Sequence, residues 1–286
     1  MSVIKKLYKN GNMQIGQTWA TDTSYEVIMG SIAYGVAVDN SDMDIHAITV
    51  PPKEMVFPHL ANHIHGFGKA PESFEVFQQH NIQVEQTNYD LAIYSIVKFF
   101  NLAMENNPNI LDMLWVPENC VTHMDAVGKH IRLNRKNFLH KGAYHRFRGY
   151  AYQQLKRLEN SNRKELIEKY GYDTKFAYHI VRLALQCEQI LTHGDMDFSI
   201  NAPFIKEIRN GALTLDELRD WYKRKEEDLD KLYASSNLQY SPNEQFIKEI
   251  LLGCLEIKYG SLADVYQGID SDAFRKLEQI RQILKP

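Results

Sequence analysis

The stretch that most constrains what this chain can fold into is YEVIMGSIAYGVAVDNSDMDIHAITVPP, Tyr25 to Pro52. Its opening residues, Tyr25 to Met29, have the aromatic and β-branched content of a strand. Gly30-Ser31 then turns the chain into a brief helix over Ser31 to Val36, with Ser31 placed to cap it. After a polar corner at Asn40-Ser41, Asp42 to Val50 alternates as a second strand. Pro51-Pro52 ends that strand, because proline cannot continue a central ladder. Asp42 and Asp44, at i and i+2, share one strand face. Carboxylates held that close repel, and a metal cation is the usual relief. The backbone N–H groups of the Gly-Ser turn suit a phosphate, which Gly30 lets approach closely. Metal carboxylates beside a phosphate cradle are the equipment for moving a nucleotidyl group.

Composition leaves that reading room. With 44% hydrophobic and 24% charged residues, the 286-residue chain has the balance of an ordinary globular protein. No run of eighteen apolar residues marks a membrane span, and MSVIKKLYKNGN lacks the apolar core of a secretory signal. Cys120, Cys187 and Cys254 are far apart and odd in number, which suits reduced thiols in a cytoplasm. The net charge of −3 argues against a uniformly basic nucleic-acid binder. Its distribution says more: between Asp125 and Glu159 there is no acid, while Lys129, Arg132, Arg135, Lys136, Lys141, Arg146, Arg148, Lys156 and Arg157 are all cationic. Phe138, Tyr144, Phe147, Tyr150 and Tyr152 are interleaved with them. Cations and rings together suit a looped or single-stranded RNA end; alternatively the rings are core and the cations pair with acidic helices elsewhere.

Along the rest of the chain, 53–77 reads as a long loop, and its His59, His63 and His65 read as exposed rather than as a metal site, since no further ligand pattern accompanies them. Ile82 to Glu85 and Tyr89 to Tyr94 are strand candidates. Ser95 to Met104 is an amphipathic helix burying Ile96, Phe99, Phe100 and Ala103, and Ile110 to Val116 is a short apolar one. Strand signals almost vanish beyond Pro117. Helical patterns cover Asp125–Arg132, Lys141–Asn160, Thr174–His193, Leu215–Ala234, Asn243–Tyr259 and Asp272–Leu284. The expected architecture is α+β: a small mixed α/β unit over 1–118 and an all-helical module over 119–286.

Gly30-Ser31, Gly35 and Ser41-Asp42-x-Asp44 resemble the signature of the DNA polymerase β nucleotidyltransferase superfamily. The string GSIAYGVAVDNSDMDIHAITVPP is most similar to predicted nucleotidyltransferases of the RNA-repair-pathway polymerase-β family of bacteria and large phages. NNPNILDMLW, RFRGYAYQQLKRL and GYDTKFAYHIVRLAL extend the likeness over most of the chain. The resemblance implies a palm fold and a reaction dependent on Mg²⁺ or Mn²⁺. In that reaction a nucleoside monophosphate passes from an NTP to an acceptor hydroxyl, an RNA (tRNA) 3′ end by the family's name, with release of pyrophosphate. Asp42 and Asp44 would be catalytic metal ligands. Asp90 is the third acid on this reading, in a strand beside the aspartate strand, with Glu85 as its substitute. Gly30 and Ser31 would hold phosphate, and Lys98 is a further phosphate candidate. Lys175, His179 and Arg182, at i, i+4 and i+7, share a helix face; they form either a triphosphate-facing row or a solvated face paired with Asp173 or Glu188. The same metal chemistry would also serve nucleotidylation of a protein side chain or a small molecule. A binding protein that kept the fold is the reading from another class. The family implies the cytoplasm of a bacterium or a phage-infected cell.

Overall fold

A computed structural model describes residues 2–37, 41–69, 72–159, 161–262 and 280. The elements in order are α1 (Val3–Lys9), β1 (Thr23–Ile28), α2 (Gly30–Ala33), β2 (Met43–Thr49), α3 (Lys53–Val56), β3 (Val76–Val84), β4 (Thr87–Ser95), α4 (Ile96–Met104), α5 (Pro108–Trp115), β5 (Val121–Met124), α6 (Ala126–Leu133), α7 (Gly142–Leu155), α8 (Lys164–Tyr170), α9 (Thr174–His193), α10 (Phe198–Arg209), α11 (Leu215–Ser235) and α12 (Glu244–Tyr259). The expected helix over Asp272–Leu284 lies outside the described residues, apart from position 280.

The strands form one mixed sheet in the order β3-β4-β2-β1-β5. The β2–β4 pair is parallel and the other pairings are antiparallel. Alternation along the strands divides two cores. Ile45 and Ala47 of β2 and Leu91 and Ile93 of β4 pack with Ile4 and Leu7 of α1 on one face. Tyr25, Val27 and Ile48 meet the helices on the other, in a cluster that runs through Phe99, Phe138 and Ile190 to Ile250. Residue 118 therefore marks a change in secondary-structure content, with no break in packing. The sheet also passes that point, since β5 hydrogen-bonds to β1 beyond it.

Caps explain where helices begin. Asp173 accepts the Lys175 and Phe176 N–H groups at the start of α9, and Thr214 and Glu217 form a capping box on α11. Several elements depart from the sequence expectation. Ser31 lies inside α2, whose N-cap is Met29. β3 begins six residues earlier than Ile82, because as an edge strand it tolerates the polar run FQQHN. β5 and α8 are too short to show a period, and α10 contains Pro203, which masks its helical pattern.

Candidate active site

The site gathers where β1 hands over to α2. Met29 N–H donates to the Asp44 carbonyl at 2.7 Å, so the turn is fastened to β2 beside the aspartate. Gly30 follows with φ +64°. A Cβ on residue 30 would fall on Oδ2 of Asp44 and 3.0 Å from its Cγ. Glycine is thus required twice, by the backbone conformation and by the carboxylate parked against it. Ser31, 9% exposed, stands in the first turn of α2.

Asp44 and Asp90 are register partners in the parallel β2–β4 pair. Adjacent strands lie about 4.8 Å apart and in-register side chains share a face, so the two carboxylates are neighbours. Both have the parity of Ile48 and so point to the helical side of the sheet. Asp42, one residue ahead of β2, accepts a hydrogen bond from Asn88 Nδ2 at 3.0 Å. Asp90 is held by two groups that the sequence reading overlooked. A bulge in β3 between Gln79 and Ile82, with Asn81 at φ +57°, aims Asn81 N–H at Oδ1 (2.8 Å) and sets His80 Nδ1 3.3 Å from Oδ2. The local signal was Asn within an alternating polar run, a residue that tolerates the left-handed conformation.

Glu85, the substitute third acid, sits at the β3–β4 hairpin tip with φ +54°, past the end of the β3–β4 ladder. The register places Asp90 beside Asp44, and Glu85 lies off the sheet.

Burial raises the Asp44 carboxyl above its ordinary pKa, with further contributions from Asp90 and then Asp42; Lys175 and His80 oppose them. Among the described residues, no three His, Cys, Asp or Glu side chains converge closely enough to hold a metal, and Asp42 is turned toward Asn88. The donor chemistry still fits a hard divalent cation: carboxylate oxygens, with Asp44 made costly to ionise by burial and then by its acidic neighbours. Rotation of Asp42 away from Asn88 would bring in its carboxylate. His59, His63 and His65 belong to no such cluster either.

Helix α9 supplies the next wall. Lys175 is close enough to act on Asp44. The imidazole of His179 is held well below its ordinary pKa, first by burial and then by the cations Arg182, Lys175, Arg209 and Arg163; it is neutral at physiological pH. Arg182 corrects the expected row. At 3% exposure it pairs with buried Asp112, donates to Gln186 Oε1 at 2.9 Å, and stacks 4.3 Å from the Tyr34 ring centroid. Tyr34 hydroxyl and Gln186 Nε2 complete the shell of Asp112 at 2.6 and 2.9 Å. This arginine ties α9 to α5 and α2 and faces no open phosphate site.

Lys98 is a second correction. It follows Ser95, the last residue of β4, about 16 Å along the strand from Asp90 at 3.3 Å per residue, and its ammonium binds Glu75 at 2.7 Å.

The acid-free stretch is open only in part: Lys129, Lys156 and Arg157 are exposed, while other cations of the stretch are engaged. Arg132, Lys136, Arg146 and Arg148 pair with Glu118, Asp195, Glu105 and Glu226, and Lys141 is buried against Tyr233 and Tyr240. Phe138, Tyr144 and Phe147 are core, Tyr150 is half-buried, and Tyr152 alone of the five rings is exposed, at 54%. A local count of charge cannot see partners that arrive from distant helices. No helix among the described residues is long and apolar enough to cross a membrane.

Residues 12–248 match the family model described as the RNA repair pathway DNA polymerase beta family. A 114-residue segment is 32% identical to an uncharacterized 38.9 kDa protein from the nrdC-mobD intergenic region of Enterobacteria phage T4. That match takes in 38% of this chain and 31% of the phage protein, so the chain spans less than a third of that relative's length. Among solved structures, a nucleotidyltransferase-like protein from Exiguobacterium sibiricum aligns over 88% of this chain and 72% of its own, at 12% identity and a TM-score of 0.31. A superposition that loose bears no weight.

Proposed function

We propose that this chain, which belongs to the RNA repair pathway DNA polymerase beta family, is a nucleotidyltransferase that transfers a nucleoside monophosphate from an NTP to an acceptor hydroxyl at an RNA 3′ end. A tRNA end is the first candidate acceptor, and pyrophosphate is the co-product. The observation that carries this reading is the in-register pairing of Asp44 with Asp90, with Gly30 leaving the space that the Asp44 carboxylate occupies.

Asp42, Asp44 and Asp90 would hold Mg²⁺ or Mn²⁺, which lowers the pKa of an attacking hydroxyl and neutralises the charge of a polyphosphate leaving group. Gly30 permits close backbone approach of the phosphates, and Ser31 would donate its hydroxyl to one of their oxygens. Lys175, the cation that already opposes the Asp44 charge, would balance phosphate on the α9 side. One turn further along α9, the neutral His179 can give or accept a hydrogen bond at the sugar or base without adding charge. His80 and the Asn81 N–H orient Asp90.

Incubation with labelled NTPs, Mg²⁺ or Mn²⁺ and total tRNA tests the proposal. Label on RNA is the expected result. Label on the protein itself would redirect the assignment to side-chain nucleotidylation, and no label under any metal condition would leave a binding protein. Asp44→Ala and Asp90→Ala should each lower transfer by at least about 10³-fold, the several kcal/mol of charge stabilisation that such ligands position.

A further inference from the structure

A cleft of about 840 Å³ opens between α8, the first turn of α9 and the last turn of α10. Its wall carries five cations, Arg163, Lys164, Lys169, Lys175 and Arg209, against one carboxylate, Glu165. Like charges crowded into one concavity repel, and the fold relieves them little. Arg163 binds Asp173 at 2.7 Å, whereas the other four make no ion pair among the described residues.

Arg209 is the most telling of them. Its Nη1 is buried and has no hydrogen-bond partner among the described residues, while the guanidinium carbon lies 5.0 Å from the Tyr178 ring centroid. The ring face supplies a cation–π contact but no acceptor, so a charged donor is left uncompensated. Buried donors of this kind persist where something else supplies the acceptor. His179 reports the same field from inside, with Arg209, Lys175 and Arg163 among the cations that disfavour its protonation. Lys175 belongs both to this wall and to the charges acting on Asp44, so one end of the cleft lies within electrostatic reach of that carboxylate.

We propose that this cleft is a polyphosphate-binding site that takes the triphosphate of the nucleotide, with Lys175 at the end nearer Asp44 and Arg209, Arg163 and Lys169 around the terminal phosphates. The identity of the ligand rests on the nucleotidyl-transfer reading above. Convergence of the cations favours this ligand over an RNA backbone: a triphosphate concentrates its charge within a few bonds, whereas RNA spreads one charge per nucleotide and calls for a track. Guanidinium forks match phosphate oxygens in pairs, and the volume is that of a small-molecule site.

The experiment is calorimetric titration of the full chain with inorganic tripolyphosphate, a non-hydrolysable NTP and a single-stranded RNA bearing a 5′ hydroxyl. Wild type is compared with Arg209→Gln and with the exposed Lys169→Gln, whose folding is not in question. Arg209→Gln should weaken tripolyphosphate and NTP binding by roughly 10- to 100-fold, the loss of one charged hydrogen bond, and Lys169→Gln by a few-fold. RNA affinity should stay within about twofold in both. Unchanged tripolyphosphate affinity in both variants, or a loss confined to RNA, overturns the proposal. Tripolyphosphate binding that depends on Arg209 in a protein that transfers nothing would sink the transferase reading and leave the anion site standing.

Discussion

Gly30→Ala is the sharpest perturbation available at this site, because one methyl group meets two separate obstacles. The first is the backbone: φ is +64°, a left-handed conformation that costs a residue with a Cβ about 1–2 kcal/mol. The second is Asp44. The added Cβ would coincide with the space of Oδ2 and lie 3.0 Å from Cγ, so the carboxylate must retreat by on the order of 1 Å, a displacement that can cost about 10²-fold in rate. Asp44 faces Asp90 across the strand pair and the turn is tied to β2 through Met29 N–H, so neither partner can follow the shift freely. Transfer of label from NTP should therefore fall by about 10²-fold, while urea unfolding registers a loss of about 1–3 kcal/mol. Ser31→Ala provides the contrast, since it removes a hydroxyl and leaves Asp44 in place. Wild-type turnover in Gly30→Ala would refute the placement of Asp44 at the reacting centre.

Asp44→Asn should stabilise the metal-free protein at neutral pH. An acid whose folded pKa is raised binds its proton more tightly folded than unfolded, so stability falls as pH rises from the ordinary 3.8 through the raised value; melting in chelator should show the variant above wild type at pH 7, with the gap closing toward pH 4. Asp112→Ala strips the partner from buried Arg182 and should cost about 3–5 kcal/mol in denaturant unfolding, whereas replacing both residues with apolar ones of similar volume should cost less. Lys98→Ala and Glu85→Ala, neither of which is in register with Asp44, should leave transfer within about twofold of wild type; a large loss in either would return that residue to the reacting centre. Chelation of divalent ions should abolish transfer, and Mg²⁺ should raise the melting temperature of wild type more than that of Asp44→Asn.

Much of the fold was legible because it is locally periodic. The amphipathic spacing of Ile96, Phe99, Phe100 and Ala103 predicts a helix that begins after Ser95, and Ser95 accepts the Lys98 N–H there. Thr174 to His193 is helical over the expected span, between the Asp173 cap and Gly194 in the left-handed conformation. The edges of the sheet were not legible in the same way. β3 buries little of its length and β5 is half-buried throughout, so their sequences carry little hydrophobic alternation, and β5 takes its pairing from β1, about a hundred residues back along the chain.

The same division runs through the site. By itself the sequence determined the Gly-Ser turn, the i and i+2 spacing of Asp42 and Asp44, and hence the chemistry on offer, because a turn residue and a strand period are properties of a few adjacent positions. Tertiary structure alone decided that Asp90 stands against Asp44 while Glu85 caps a hairpin, since parallel register is fixed by packing across both cores. It also decided that Arg182 is committed to Asp112 and that, among the described residues, four of the nine cations of the basic stretch are ion-paired, because the partners of a charge are chosen by which distant helices close over it. And it brought Arg209 against Arg163, Lys169 and Lys175 in one cleft, a juxtaposition that no spacing in the sequence would reveal.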